Sequence, residues 1–420
     1  MAVDYGRDIF FRGDGADSRL LARFREAGAS AVVFTAPEPA QEDACRKLGL
    51  EPVRASQLQF LSWKEAGRAR AGSPVVLAEG LWPGVTRGGG GRRDEEVASA
   101  SGQPWVDANG YWIGCLRAIA PARPAVLGYL PDEKAGVGKE RVVSFDSLEL
   151  ALVDAWASGG NCLLAPETRY RAALAAGDEK AVAAWSQLTR TAAWLRQNVE
   201  RLRQPVVPIV TALVAPGTES AELANLMFRH AVSPNLAWAA EPPPPAPGRI
   251  LALVAASIGT PGAAARGRIL SHAGEGATVV VDAPGQGAWW RVAGLKPARE
   301  EEDRDFYRLG KGQVVAYKNP IEDPSDFALD VIDLVTHKTR AVRLFRAPAM
   351  LPLLTRAGLV LINYGSGQRF ETAVHVQGHF QRVRLERPEA APADLTPARR
   401  GPLTEIRIPE MGRVALATLS

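Results

Sequence analysis

The spacing of apolar residues changes along this 420-residue chain, and this change constrains the fold more than any other feature. Over the first 200 residues, short apolar runs alternate with helical patterns, which is typical of a parallel α/β domain. The proline-rich stretch 241–248 fits neither a helix nor a central strand and indicates an extended connector. Strand and helix patterns alternate again beyond it. From about Leu359 the period becomes two, as in a β sandwich.

These patterns predict three units, in agreement with the two or three cores expected for this length. We predict a (β/α)8-type barrel at residues 1–204, a flavodoxin-like α/β domain at 205–348 and a small β-sandwich domain at 349–420. The first unit shows six or seven strand patterns where a complete barrel has eight, so the patterns leave open whether the barrel is complete.

Local signals predict individual elements. Residues 179–198 form the clearest amphipathic helix. Asp146 and Glu149 make a capping-box pattern at the start of another helix, which Gly159 ends. The predicted strands include residues 8–12, 31–35, 74–78, 125–130, 161–165, 250–255, 278–282 and 313–317, with further helices at 18–27, 263–273 and 324–336.

Composition excludes several classes of protein. The formal charge of +4 is small and the arginines are scattered, so nucleic-acid binding is not expected. No apolar run reaches about 18 residues, so no membrane span is expected. The first eleven residues lack an apolar signal core, so no export signal is predicted. A cytoplasmic location and export with the signal removed both stay open.

Cysteine and histidine are distributed unevenly. The three cysteines lie in the first half of the chain and the five histidines in the second. The barrel therefore cannot host a histidine triad or a histidine metal site on its own, and we expect the cysteines to be buried thiols. No dinucleotide fingerprint follows residues 250–255, and the glycine-rich loop 87–93 lacks the context of a P-loop. We therefore predict no cofactor and no metal.

Acidic residues that directly follow predicted strands are the candidates for chemistry, because a barrel carries its active site at the carboxyl ends of its strands. Glycoside hydrolysis needs two carboxyl groups, one as acid and one as nucleophile or base. Glu79 and Glu167 follow different strands and are the predicted catalytic pair. Asp132 and Glu133 follow a third strand and are predicted to bind substrate. Asp14, after the first strand, is a further candidate.

Aromatic rings near these acids indicate sugar binding, because the apolar faces of sugars lie flat on indoles. The predicted substrate-binding residues in these loops are Trp82, Trp105, Asp107, Asn109 and Trp112. Structural roles are equally open for them. Acids after strands often cap helices or pair with arginine, and residues 107–119 also read as a helix that begins at an Asp107 cap and packs Trp112 inward.

The order of units resembles the family 42 glycoside hydrolases. The residues that carry the resemblance are 226–229 (LMFR), 277–282 (ATVVVD), 310–317 (GKGQVVAY) and the closing strands 359–419. It implies a carbohydrate substrate and a middle domain similar to class I glutamine amidotransferases that serves assembly into a trimer. The middle unit contains no cysteine, so an amidotransferase triad is absent. In the family an asparagine precedes the barrel's acid, whereas Glu79 follows Ala78 and Glu167 follows Pro166.

Two hypotheses follow from the sequence. The first is a glycoside hydrolase that acts on a carbohydrate through Glu79 and Glu167. The second is a non-catalytic carbohydrate-binding or assembly protein built on a degenerate barrel. The sugar, its linkage and the stereochemical outcome stay open.

Overall fold

The computed structural model describes residues 3–68, 74–86, 105–129, 143–230, 232–282, 288–292, 295–319, 329–331, 341–347, 349–365 and 367–420. At positions 85, 86, 105, 107, 369 and 370 it describes the backbone alone. The predicted loop 87–93 lies outside the described residues, as does most of the predicted helix 324–336.

The first unit is a parallel sheet of seven strands with helices packed on its outer face. Its elements are β1 (Ile9–Arg12), α1 (Ser18–Glu26), β2 (Ala29–Phe34), α2 (Pro39–Lys47), β3 (Glu51–Arg54), β4 (Gln59–Leu61), β5 (Val75–Gly80), β6 (Gly84–Thr86), β7 (Trp105–Asp107), α3 (Gly110–Ile119), β8 (Val126–Tyr129), α4 (Ser147–Ala157), β9 (Asn161–Leu164), α5 (Thr168–Ala176), α6 (Glu179–Gln197) and α7 (Val199–Leu202). Strands β6 and β7 form a separate antiparallel hairpin.

The strand order shows a barrel opened at one seam. The order in the sheet is β3-β2-β1-β9-β8-β5-β4, so the first and last strands pair as they do in a closed barrel. Strands β3 and β4 form the two edges, and a short 3-10 turn, Ala55–Gln57, joins them in place of a crossover helix. The predicted barrel architecture is therefore confirmed, with seven strands in the described residues instead of eight.

The inner face of this sheet forms one apolar cluster. It receives residues from six of the seven strands and from Leu58, which directly precedes β4. Its members are Phe10, Ala31, Val33, Val53, Leu58, Val76, Val126 and Leu163. Because side chains alternate along a strand, their neighbours Phe11, Val32, Leu77 and Leu127 belong to the outer cluster beneath the helices.

One predicted helix begins where expected but lacks its predicted capping box, and a second begins later than the alternative interpretation placed it. Asp146 is the N-cap of α4 but makes no side-chain cap bond, because its carboxylate pairs with Arg413 from the end of the chain. Glu149 is buried and accepts a 2.6 Å hydrogen bond from Thr191 of α6, so it does not complete a capping box. The N-cap of α3 is Asn109, two residues after the predicted Asp107.

The second unit is a flavodoxin-like sheet, as predicted. Its elements are β10 (Val210–Val214), α8 (Ser220–Arg229), β11 (Asn235–Trp238), β12 (Ala252–Val254), α9 (Ala263–Gly274), β13 (Thr278–Val281), β14 (Arg299–Glu300), β15 (Arg304–Leu309) and β16 (Gly312–Tyr317). The order is β11-β10-β12-β13-β16-β15-β14. Its five parallel strands have the doubly wound 2-1-3-4-5 arrangement, and β15 and β14 extend one edge antiparallel.

The third unit is a sandwich of two antiparallel sheets. Its strands are β17 (Val342–Phe345), β18 (Met350–Thr355), β19 (Gly358–Asn363), β20 (Arg369–Gln377), β21 (Val383–Arg387), β22 (Ala390–Leu395), β23 (Ala398–Arg400), β24 (Leu403–Met411) and β25 (Val414–Leu419). The sheet orders are β17-β20-β24-β23 and β18-β19-β25-β21-β22. The unit limits at 204/205 and 348/349 stay predictions, and β17, which pairs with β20, lies before the second of them.

The sandwich packs directly on the barrel. Strand β19 is buried at every position, since Leu359 and Leu361 face the sandwich interior while Val360 and Ile362 join the barrel's outer cluster. Helix α4 lies between the two units and is buried from Leu148 to Ala157. A polar residue in this helix must therefore find its partners inside the protein.

The described helices include none that is both long and apolar enough to cross a bilayer. The three cysteines are buried and unpaired, as expected.

Candidate functional site

The carboxyl edge of the barrel sheet holds the predicted catalytic pair, on strands that are not adjacent. Glu79 lies near the end of β5, and Glu167 lies three residues beyond β9 as the N-cap of α5. Strand β8 separates β5 from β9, so the two backbones are about 10 Å apart from strand spacing alone. The two residues share an edge, and their carboxylates have different surroundings.

Glu79 lies in a β-bulge and is already bonded to the backbone. The register between β5 and β8 shifts between Leu77 and Gly80, a geometry that turns side chains away from the regular alternation. Both Glu79 carboxylate oxygens accept the N–H of Trp63, at 2.7 and 2.8 Å, at the start of the 3-10 turn Trp63–Arg68. Burial raises the pKa of Glu79 and outweighs this hydrogen bond, with a smaller contribution from the charge of Glu65.

Glu167 is less tightly held. Its side chain makes no cap bond to α5. Oε2 is shielded from solvent with no hydrogen-bond donor among the described residues, and Nε of Arg169 is 3.9 Å away. The guanidinium of Arg169 stacks 4.7 Å from the ring centre of Phe145 and donates to the carbonyl of Val143. One oxygen of Glu167 therefore has no donor among the described residues, whereas both oxygens of Glu79 are bonded.

Asn109 and Asp154 form a closed polar network behind the sheet. The side chain of Asn109 is 1% exposed and bonds both the N–H and the carbonyl of Leu81, at 2.9 and 2.8 Å. Asp154 of α4 accepts the backbone N–H and the amide of Asn109 at 2.7 and 3.0 Å and the Tyr364 hydroxyl at 2.7 Å. Burial raises the pKa of Asp154 despite these donors. All contacts of the Asn109 side chain are therefore internal, which weighs against its predicted contact with sugar.

The predicted aromatic residues also differ in their exposure to solvent. Trp82 is 3% exposed and packs 5.7 Å from Tyr129, so it belongs to the barrel's outer core. Trp112 is partly exposed, and its ring centre lies 5.7 Å from that of Trp63 and 4.6 Å from that of Tyr111. The side chains of Trp105 and Asp107, and the whole of Asp132 and Glu133, lie outside the described residues, so their roles stay predictions.

A second polar cluster lies on the inner face of the sheet. Arg12 pairs in register with Val33, an inner-face residue, so its side chain belongs to the barrel interior. Asp14 accepts Nε of Arg12 at 2.7 Å, the N–H of Thr35 at 2.7 Å and the Thr35 hydroxyl at 3.0 Å. Burial acts to raise the pKa of Asp14, but these hydrogen bonds outweigh it and the pKa is lowered. The carboxylate is therefore ionised at neutral pH.

An exposed ring lies on the same inner face. Phe60 of β4 pairs in register with the inner-face residue Val76 and is 37% exposed. A side chain at Gly128, the next-to-last residue of β8, would come within 4.0 Å of this ring. The ring therefore reaches the carboxyl edge of the sheet, beside a position that has no side chain to cover it.

Arg12, Thr35 and Phe60 were not predicted as site residues. Their signal is in the sequence, since Arg12 follows Phe10 and Thr35 follows Val33 at the two-residue spacing that puts strand neighbours on one face. Which face is inner depends on the closure of the sheet, so strand pattern alone does not identify it. Across the described residues, no three His, Cys, Asp or Glu side chains are grouped so that they would hold a metal ion.

Comparison with known proteins supports the fold. No protein-family profile matches the sequence, and no curated protein is similar to it in sequence. The structure of α-L-fucosidase isoenzyme 2 from Paenibacillus thiaminolyticus is similar over 100% of this chain and 97% of that one, with a TM-score of 0.54 and 9% identity. The two chains therefore share a fold.

Two β-galactosidases are also among the similar structures. A GH42 β-galactosidase from G. stearothermophilus has a TM-score of 0.49 and 9% identity, over 91% of this chain and 66% of that one. A β-galactosidase from the psychrophilic Marinomonas ef1 has a TM-score of 0.47 and 11% identity, over 96% and 67%. This chain thus spans nearly all of the fucosidase and about two thirds of each galactosidase.

Proposed function

We propose that this protein binds a carbohydrate in the mouth of its opened barrel. The proposal rests on the inner face of the sheet, which carries the exposed ring of Phe60 on β4 and, beyond the three intervening strands, the ionised Asp14 cluster after β1. Sugars are recognised by an aromatic face together with a few fixed hydrogen-bonding groups. The fold shared with the fucosidase supports the same class of ligand.

The groups in the mouth suit hydroxyl recognition. The Asp14 carboxylate accepts three hydrogen bonds from Arg12 and Thr35, which leaves about one lone pair free to accept from a ligand. The side chains of Arg12 and Asp14 are 32% and 38% exposed, so a ligand reaches them without unfolding the edge. Such pre-ordered groups lose little entropy on binding.

The test is a binding measurement on matched variants. A panel of neutral oligosaccharides is titrated into the wild type, Phe60→Ala and Asp14→Asn by calorimetry. We expect both variants to weaken binding about fivefold or more, from the loss of one ring or one charged acceptor. Val292→Ala removes an equally exposed apolar side chain in the middle unit and should leave the affinity unchanged. Equal affinity of all four proteins would reject the mouth as the site.

Hydrolysis through Glu79 and Glu167 is the second candidate. It is favoured by the raised pKa of Glu79, because a carboxyl group that stays protonated is what a general acid needs. For catalysis the Glu79 side chain would have to leave the N–H of Trp63, which now occupies both of its oxygens. This contact opposes a catalytic role of Glu79 and therefore favours carbohydrate binding over hydrolysis.

Aryl glycosides decide between the two candidates. If hydrolysis occurs, Glu79→Gln and Glu167→Gln should each reduce turnover at least a hundredfold, as expected for loss of a general acid or a nucleophile. Saccharide binding without turnover in the wild type would leave binding as the function. Assembly into an oligomer through the middle unit stays a prediction, which the mass of the protein in solution tests.

A further inference from the structure

The outer face of the four-stranded sheet, remote from the barrel, carries an exposed aromatic ring. In β17 and β20 the side chains of Val342, Val374 and Val376 face the sandwich core, so the alternate positions face solvent. Phe345 is one of these and is 43% exposed. Its ring lies 4.6 Å from the imidazole of His375, tilted by 55°. The two rings form a small platform above the sheet.

A gap in the sheet surface adjoins this platform. Phe345 pairs in register with Ala373, and Ala373 pairs with Arg407 on the next strand. Ala373 thus lies between Phe345 and Arg407 in register, about 5 Å from each backbone across one strand spacing, and carries only a methyl group. A sugar ring laid over Ala373 would lie beside both positions.

The charged groups around this gap are fixed in place. Glu405 accepts Nε of Arg400 and Nε of Arg407, both at 3.0 Å, and lies 3.2 Å from Nε2 of His375. The hydrogen bonds from these three residues, Arg400 first, lower the pKa of Glu405 to about 2. Glu405 itself is only 10% exposed, whereas the side chains of Arg400 and Arg407 are 55% and 78% exposed. A shielded carboxylate therefore orders two guanidinium groups whose outer nitrogens face solvent.

We propose that this face is a second saccharide site, and that its ligand is a uronic acid polysaccharide. The ring of Phe345 offers an apolar surface for one face of a sugar ring. A guanidinium binds the two oxygens of a carboxylate in a planar fork, and the outer nitrogens of Arg400 and of Arg407 can each bind a sugar carboxylate. Two arginines and one shielded glutamate give this surface a net positive charge, which is complementary to an anionic polysaccharide. The site shares no residue with the barrel mouth, so either proposal can fail without the other.

A solvated charge ladder on a sheet is the alternative, and single exposed rings are common on protein surfaces. A ladder binds polyanions by charge alone, so its binding would not depend on Phe345. Dependence on the ring is therefore the property that separates a saccharide site from a charged surface.

The experiment measures binding of the full chain to polygalacturonate, dextran and dextran sulfate at about 0.15 M salt, where long-range attraction is screened. We expect the wild type to bind polygalacturonate and not dextran. Phe345→Ala should weaken this binding about tenfold, and Arg407→Gln about as much. Phe345→Tyr keeps the ring and should bind like the wild type.

Val292→Ala is the control, because it removes an exposed apolar side chain of the middle unit, outside both proposed sites, and should leave polygalacturonate binding unchanged. Unfolding temperatures of all variants establish that each is folded. Absence of polygalacturonate binding in the wild type would overturn the proposal. So would equal binding by Phe345→Ala and the wild type, or binding to dextran sulfate or DNA that is tighter than to polygalacturonate and indifferent to Phe345.

Discussion

Two aspartates of the barrel unit, Asp154 and Asp14, show how differently the same side chain is used on the two sides of one sheet. Asp154 lies behind the sheet in α4, fully buried, and receives the hydroxyl of Tyr364 and two donors of Asn109. Asp14 lies at the inner edge, 38% exposed, and is held by Arg12 and Thr35. The first joins units of the protein, and the second stays accessible to a ligand.

The contrast shows that a polar residue near the carboxyl edge of the sheet can have a purely structural role. The Asp154 network fastens Leu81, in the segment that follows β5, to α4 and to the sandwich. A buried carboxylate with all partners present is stable, but each partner lost leaves a buried polar group unsatisfied. An exposed carboxylate loses far less, because water replaces its partners. The two regions therefore predict different responses to the same substitution.

The largest expected effect is that of Asp154→Ala. The change leaves the Asn109 N–H groups and the Tyr364 hydroxyl without an acceptor in a dry environment, so we expect unfolding to become easier by about 3 kcal/mol or more. Urea unfolding followed by tryptophan fluorescence measures it. A loss below about 1 kcal/mol would show that the network is not structural.

Tyr364→Phe should have the next largest effect. It removes only the hydroxyl that bonds Asp154 at 2.7 Å, and the ring keeps its packing. We expect a loss of about 1 to 2 kcal/mol in the same urea experiment, as for one buried hydrogen bond whose acceptor stays behind. In the Asp154→Ala background the hydroxyl has no partner to lose, so Tyr364→Phe should then cost little. Full additivity of the two losses would contradict a direct coupling.

Asp14→Ala should have a small effect on stability. Its pair with Arg12 is partly exposed, so we expect a loss of no more than about 1 kcal/mol. Because its pKa is lowered by folding, its contribution is present above about pH 4 and is lost as the pH falls further. Urea midpoints at pH 7 and pH 3 test both statements. A loss as large as that of Asp154→Ala would remove the distinction between the two regions.

The smallest expected effect is a pH dependence at Glu79, which lies between the two regions. Folding raises its pKa, so the ionised side chain is less favourable in the folded protein, and this penalty grows as the pH rises through that pKa. Glu79→Gln has no such titration. The unfolding temperature of the variant relative to the wild type should therefore increase between pH 4 and pH 7. A relative decrease over the same range would reverse the assigned sign.

The sequence predicted the helices and strands better than it predicted the site residues. Helix α6 begins at Glu179 as predicted and ends at Gln197, one residue before the predicted end, because its apolar stripe is long and regular. Strands β3 and β4 were missed, since each has only three or four residues and no clear alternation. The Asp146–Glu149 capping box failed because a distant arginine competes for Asp146. Local pattern does not contain such long-range partners.

The sequence by itself determined the three units and their order, because apolar period and punctuation by proline and glycine are local properties. Tertiary structure alone decided which residues at the carboxyl edge face the barrel interior. The inner face is defined only by how the sheet curls, with β3 and β4 as its open edges. Tertiary structure also decided that Asn109 and Trp82 belong to the packed side. Whether a side chain meets solvent or a partner depends on segments far apart in the chain, as when Tyr364 reaches Asp154.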